Sequence, residues 1–228
     1  MNSFPSTPVI WKRSTKAKRI TLRIEPVDGN IVLTLPPRAT QAQAMAFLQE
    51  HSEWVAKALA SLPPKTLLKA GHSIPIEGQL APIIHEPEAK RGSWLDDEGL
   101  HVSGAAEHTE RRVRDFLHKL ASERLNNSVR HYSGAMQLFP KRVDLRDVRS
   151  RWGSCTREGR IMLSWRLVFT PPHIRDYVVI HELAHLEHFN HSPAFWTLVE
   201  SFCTKGASGR LAAERWLRNN GTALLRIA

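Results

Sequence analysis

Cysteine is nearly absent: Cys155 and Cys203 are the only two in 228 residues. That is too few for a disulfide framework and suits a reducing compartment, so a cytoplasmic location is expected. Long apolar runs are missing as well. The longest, from Tyr177 to Leu186, is broken by His181, Glu182 and His185, which excludes a helical membrane span. The first residues, MNSFPSTPVIWKR, lack a basic segment followed by an apolar stretch and a small-residue cleavage site, so no secretory signal is expected. Acidic residues are in deficit, 22 against 32 Lys and Arg, which leaves a net charge of +10. Two clusters carry much of the excess: Lys12, Arg13, Lys16, Lys18 and Arg19, then Lys141, Arg142, Arg146, Arg149 and Arg151. Such clusters either form a solvated face or bind nucleic acid by releasing counterions. The length is enough to bury one large core or two modest ones without disulfides.

Two regions are expected, 1–105 and 106–228. In the first, Ile20, Leu22 and Ile24 alternate with polar residues, as do Ile31, Leu33 and Leu35, with Asp28-Gly29 between them; this predicts a hairpin. From Thr40, a helical period through Phe47, Leu48, Trp54, Val55 and Leu59 predicts one helix capped by Thr40 and stopped by Pro63-Pro64. Residues 66–104 read as small strands in a meander. In the second region, Val113, Phe116, Leu117, Leu120 and Leu125 mark a long amphipathic helix. A strand pair, 143–148 and 161–169, brackets Trp152-Gly153-Ser154-Cys155. Pro171-Pro172 opens a helix expected to run to about Phe189, and helices at 193–203 and 208–218 follow.

His181-Glu182-Leu183-Ala184-His185 carries the chemistry. Residues four apart on a helix lie about 6 Å apart along its axis on nearly the same face, so both imidazoles can reach one ion. Zinc takes such a pair, and the glutamate after the first histidine stands where a carboxylate accepts a proton from water activated by the metal. Composition alone would produce this pentad only about 0.04 times in a chain of this length.

A catalytic zinc needs a third protein ligand and one open position. On a continuous helix His188 and His191 would sit about 10 and 15 Å along the axis from His181, too far for bonds of about 2 Å. The chain must turn back, and Asn190 with Ser192-Pro193 supplies a helix stop and a new start. His191 falls in that turn and is the expected third ligand, with Glu200 on the following helix as the alternative. His188 is left beside the site or facing solvent.

Ser150-Arg151-Trp152-Gly153-Ser154-Cys155, Leu163-Ser164-Trp165-Arg166-Leu167, and Asp176-Tyr177-Val178-Val179 leading into HELAHLEHFNHSPAFW together resemble the YgjP-like metallopeptidase family, a relative of the SprT-like and WLM zinc peptidases. The resemblance is specific across 141–202 and looser upstream. It implies an α+β, zincin-like fold, with the histidine-bearing helix beside a small antiparallel sheet and a β-rich N-terminal domain in front. It also implies Zn2+ held by His181, His185 and His191, with Glu182 as general base. Ser164 stands where relatives often have asparagine.

The expected activity is therefore hydrolysis of peptide bonds in a peptide or protein substrate. Trp152, Gly153 and Ser154 have two readings, an edge strand that pairs with extended substrate, or a core tryptophan with a glycine bulge. Tyr177, Arg151, Arg166 and His188 are candidates for stabilising the oxyanion, and Cys155 reads as a small buried residue. A peptidase recruited or stimulated by DNA is one alternative, and a zinc protein without catalysis, acting on nucleic-acid-associated partners, is the rival reading. An adjacent Glu182 argues against it, because a structural zinc has four protein ligands and no use for a base.

Overall fold

In the computed structural model, which describes residues 7–228, six α-helices alternate with ten short strands. The stretch read for a secretory signal begins outside the described residues. No described helix is long and apolar enough to cross a membrane. The chain divides into two units, Met1–Lys65 and Thr66–Ala228.

The first unit builds a three-stranded sheet from β1 (Val9–Arg13), β2 (Thr21–Ile24) and β3 (Ile31–Leu35). The expected hairpin is β2 and β3, antiparallel with Leu22 opposite Leu33. Strand β1, unread in the sequence, adds parallel to β3 on its other side. Thr40 caps α1 (Gln41–Glu50) in a reciprocal box with Gln43. The single helix expected here is two, because the chain leaves helical geometry at His51 before α2 (Ser52–Ala60) begins. The His51 ring then contacts the Phe47 carbonyl at 2.9 Å. Ile31, Leu33, Leu35, Ala44, Leu48 and Val55 form this unit's own small core.

The second unit starts well before the boundary expected at Ala105. Strands β4 (Ser73–Ile76), β5 (Gln79–Glu86), β6 (Ser93–Leu95) and β7 (Leu100–Ser103) form a sheet in the order β4-β5-β7-β6. It is no simple meander, since β5 and β7 pair in parallel. Their apolar residues Ile74, Ile83, Leu100 and Val102 share one core with Val113, Leu117 and Leu125 of α3 (Thr109–Met136). That shared core is why 66–105 belongs with the downstream chain.

Beyond α3, β8 (Arg142–Arg146), β9 (Gly153–Cys155) and β10 (Arg160–Ser164) form a sheet in the order β8-β10-β9. It is mixed rather than antiparallel: β8 runs parallel to β10, and β9 antiparallel. The strand expected to reach 169 stops at Ser164, and Trp165–Phe169 winds into a 3-10 helix. All five of those residues are buried, which a strand alternating between core and solvent would not achieve. Three helices finish the unit, α4 (Pro172–Ala184), α5 (Pro193–Phe202) and α6 (Gly206–Leu225). Helix α4 is shorter than expected, ending at Ala184 rather than Phe189, while α6 is longer, at 20 residues.

Candidate metal centre

Helix α4 starts with Pro172 at its first position, where the missing N–H costs nothing. It buries Ile174, Val178, Val179, Ile180 and Leu183, so its register is fixed by the core. His181 and Glu182 occupy its last turn and His185 its C-cap. The chain then turns at once: the amides of Glu187 and His188 both donate to the Ala184 carbonyl. Asn190 is not among the residues with positive φ, so the expected left-handed stop there is not used. Ser192 restarts the chain by accepting from the Phe195 amide at the head of α5.

This turn brings three imidazoles together. One ring nitrogen from each of His181, His185 and His191 lies within 4.8 Å of the others. The Nε2 atoms of His181 and His191 are 3.2 Å apart, close to the edge of about 3.3 Å expected for a tetrahedron with bonds of about 2.0 Å. Burial, then the charges of its two neighbours, pushes His181 down to about 3, and His185 is also lowered, first by burial. Both rings are held neutral, the form that binds metal. His185 Nδ1 donates to the His188 carbonyl at 2.9 Å, which leaves Nε2 free to ligate. Buried Phe195 forms a floor beneath all three rings, with centroids 4.6–5.0 Å away.

Glu182 completes the centre. It is 6% exposed, and its Oε2 atom has no hydrogen-bond partner among the described residues. Burial pushes its pKa up to about 8, against an opposing pull from the Arg151 charge. A Cβ added to Gly153 would stand 2.5 Å from Glu182 Oε1 and 2.6 Å from its Cγ. Glycine is therefore needed in β9 so that the carboxylate can lie against the strand. A buried carboxylate with a free oxygen beside three convergent imidazole nitrogens fits a divalent metal.

The remaining expected residues divide. Trp152, Gly153 and Tyr177 line a cavity of about 550 Å³ with His181, Glu182 and His191; Ser154 does not. Trp152 is half-buried, its indole against Gly221 of α6. The Tyr177 hydroxyl donates to Glu214 Oε1 at 3.1 Å and lies 3.5 Å from His181 Nδ1. It stands behind a ligand rather than in front of the reacting atoms. Arg166 is not brought to the cavity: its guanidinium is buried, paired with Asp147 at 3.1 Å and donating to the carbonyls of Leu224 and Ile227. The side chain of His188 lies outside the imidazole cluster, 3.7 Å from Glu187. Arg151 is exposed and reaches Glu182 only through its charge. Glu200, the alternative ligand, is paired with Arg210 at 2.8 Å. Cys155 is half-buried, its thiol pushed up to about 11 by burial and the Glu182 charge, so it stays protonated.

Sequence reasoning missed a brace behind the centre. Arg210 of α6 binds Glu200 and Glu214, each at 2.8 Å, and its guanidinium stacks 4.5 Å over the Trp196 ring. Trp196 in turn stacks on His191 at 5.3 Å. One cation thus backs His181 through Glu214 and Tyr177, and His191 through Trp196. A residue without its own motif leaves no signal in a single sequence. Arg218, the one guanidinium among the cavity's lining residues, was missed for the same reason.

Three imidazoles placed where they could hold a metal ion, beside a buried carboxylate in an α+β unit, make this a candidate metal site. The chain belongs to the YgjP-like metallopeptidase family: the description "YgjP-like, metallopeptidase domain" matches residues 18–220. No curated protein matches the chain. Among solved structures it is similar to the metallopeptidase zymogen abylysin of Pyrococcus abyssi, at 21% identity and a TM-score of 0.38, over 42% of this chain and 93% of that one.

Proposed function

We propose that the protein is a zinc-dependent peptidase of zincin type in which His181, His185 and His191 hold the ion and Glu182 is the general base. The observation that carries this reading is the buried, unpartnered Glu182 carboxylate beside three converging imidazoles. When bound, zinc supplies Lewis acidity toward water and toward the scissile carbonyl oxygen. Glu182 takes the proton of the attacking water on its free Oε2 and delivers it to the leaving amine. Arg218, on the cavity wall, is the cation available to the carbonyl oxygen; Arg166, one of the four candidates for that role, is held away in its buried ion pair.

Substrate binding is assigned to β9. It lies at the sheet edge, and the bonds from Ser164 N to Trp152 O and from Thr156 N to Arg160 O fix which backbone groups face β10. By alternation, the N–H and C=O groups of Gly153 and Cys155 face outward. An extended peptide can pair with them and pass Glu182. Ser154 contributes to the ladder rather than to that open edge.

The test is unbiased cleavage profiling of an extract with wild type and Glu182→Gln, each loaded with zinc. Proteolysis by the wild type and its loss in the variant are expected; equal cleavage by both would remove the assignment of the base.

A further inference from the structure

A second groove lies on the Thr66–Ala228 unit, at the free edge of the β4-β5-β7-β6 sheet. It has a volume of about 970 Å³ and runs between β6 and the outer face of α3. The α3 wall is one helical stripe, in which Arg112, Phe116, Lys119 and Glu123 recur three or four residues apart. Phe116, Leu120 and Leu95 supply apolar surface, and Trp94 stands fixed, stacked on His101 at 4.8 Å and under the Arg91 guanidinium at 5.2 Å.

Charge in the groove is one-sided. Five cations line it against two carboxylates, and both carboxylates are already used, Asp115 by Arg111 and Glu123 by Arg124. Arg112 is bound to the Ser103 carbonyl and Arg124 to Glu77. Among the described residues no carboxylate pairs with Lys90, Arg91 or Lys119, all three exposed.

The strand edge adds a second demand. In the β6-β7 ladder the Ser103 amide donates to Gly92 and the Asp96 amide to Gly99. With Trp94 opposite His101, alternation turns the Trp94 backbone toward β7 and the N–H and C=O groups of Ser93 and Leu95 outward. An open edge is a template for another strand. Lys90 and Arg91, at the start of that edge, attract an acidic strand.

We propose that this groove binds an acidic, extended peptide segment, which adds as a strand to β6 while its carboxylates pair with Lys90, Arg91 and Lys119. None of its residues belongs to the metal centre, so the groove's occupancy is independent of the peptidase reading. It would dock a protein by a segment other than the one cleaved.

The test uses the full chain and a fluorescein-labelled peptide of alternating Glu and Val, with Gln replacing Glu in the control. The Glu peptide should bind, weaken with added salt, and bind at least about tenfold more tightly than the control. The exposed-residue variant Lys90→Gln/Arg91→Gln/Lys119→Gln should lose at least about tenfold in affinity with unchanged thermal unfolding. Hydrogen exchange should show new protection at the Ser93 and Leu95 amides on binding. Affinity unchanged in the triple variant, or no protection at those two amides, overturns the proposal. A single-stranded oligonucleotide that binds more tightly through the same three cations would also overturn it, by giving the groove to nucleic acid.

Discussion

Glu182 is held where two requirements oppose each other: α4 buries it, and none of the described residues bonds its Oε2. That state leaves Oε2 open to a bound species in the cavity it lines. Glu182→Gln keeps the shape but not the base, so folding and metal content should survive while hydrolysis falls at least about 100-fold; metal content by emission spectroscopy and peptide turnover report the two separately. Gly153→Ala tests the same atom from the other side. The new Cβ would overlap the Glu182 side chain, so turnover should drop by about 100-fold while the three imidazoles keep their metal. Wild-type turnover in that variant would show that Glu182 does not need its place against β9. For the ligands, His191→Ala should weaken metal binding by more than about 100-fold, beyond what loss of an outer partner causes. His188→Ala should change it little, because only the His188 backbone carbonyl touches His185. Competition with a chromogenic chelator distinguishes the two; equal losses would remove His191 from the triad. The triad was legible because its spacing and the need for a turn are local facts. The role of Gly153 was not, since it depends on a helix whose first residue lies 19 positions further along.

At the scale of elements, periodicity found α3, where one face meets the core and the other meets water, and the alternation of the β2-β3 hairpin, while Pro171-Pro172 marked the start of α4. It failed where consecutive residues are all buried, as in Trp165–Phe169, because no polar face then marks the period. It also failed for the brace on α6, whose meaning is tertiary. Arg210→Gln should release Glu214 and Trp196 together and lower metal affinity by about 10- to 100-fold without removing a ligand. Unchanged affinity would reduce Arg210 to a surface ion pair. The β5-β7-β6 sheet carries a pH signature of its own. Burial alone would lower the pKa of His101, but its Nδ1 is 2.5 Å from Glu86 and its Nε2 2.9 Å from Asp96, and these bonds outweigh burial and raise it. A raised folded value means the imidazolium stabilises the fold fully below the unfolded value of about 6.5, and that contribution is lost as pH rises through the folded value. Asp96 is lowered, burial being outweighed by bonds from Glu98, His101, Gly99 and Trp94. Its contribution is present above about pH 4 and fades as pH falls through its lowered value. In thermal unfolding followed from pH 5 to 9, His101→Asn should therefore show a shallower loss on the alkaline side than the wild type, the remaining loss belonging to Glu182, whose raised value acts in the same window. An unchanged limb in the variant would place the pH dependence elsewhere.

For the molecule as a whole, sequence reading located two regions but set their boundary 40 residues late, at Ala105 instead of Lys65. Short strands with turn signals between them looked like a continuation of the N-terminal hairpin. What they bury against, the inner face of α3, is decided only when the chain is folded. Every residue of the metal centre, its Phe195 floor and its Arg210 brace lies in Thr66–Ala228. So does the larger core, whereas the first unit's core cluster holds six buried residues, Ile31, Leu33, Leu35, Ala44, Leu48 and Val55. A chain of that size buries enough surface to fold alone, while one near 60 residues is marginal. Expressed separately, residues 66–228 should unfold cooperatively and bind one metal ion per chain with the affinity of the full protein. Equilibrium dialysis and a thermal melt would check both. A fragment that folds but binds metal much more weakly would show that the first unit supports the centre, and the self-sufficient site argued from His181, Glu182, His185 and His191 would have to be given up.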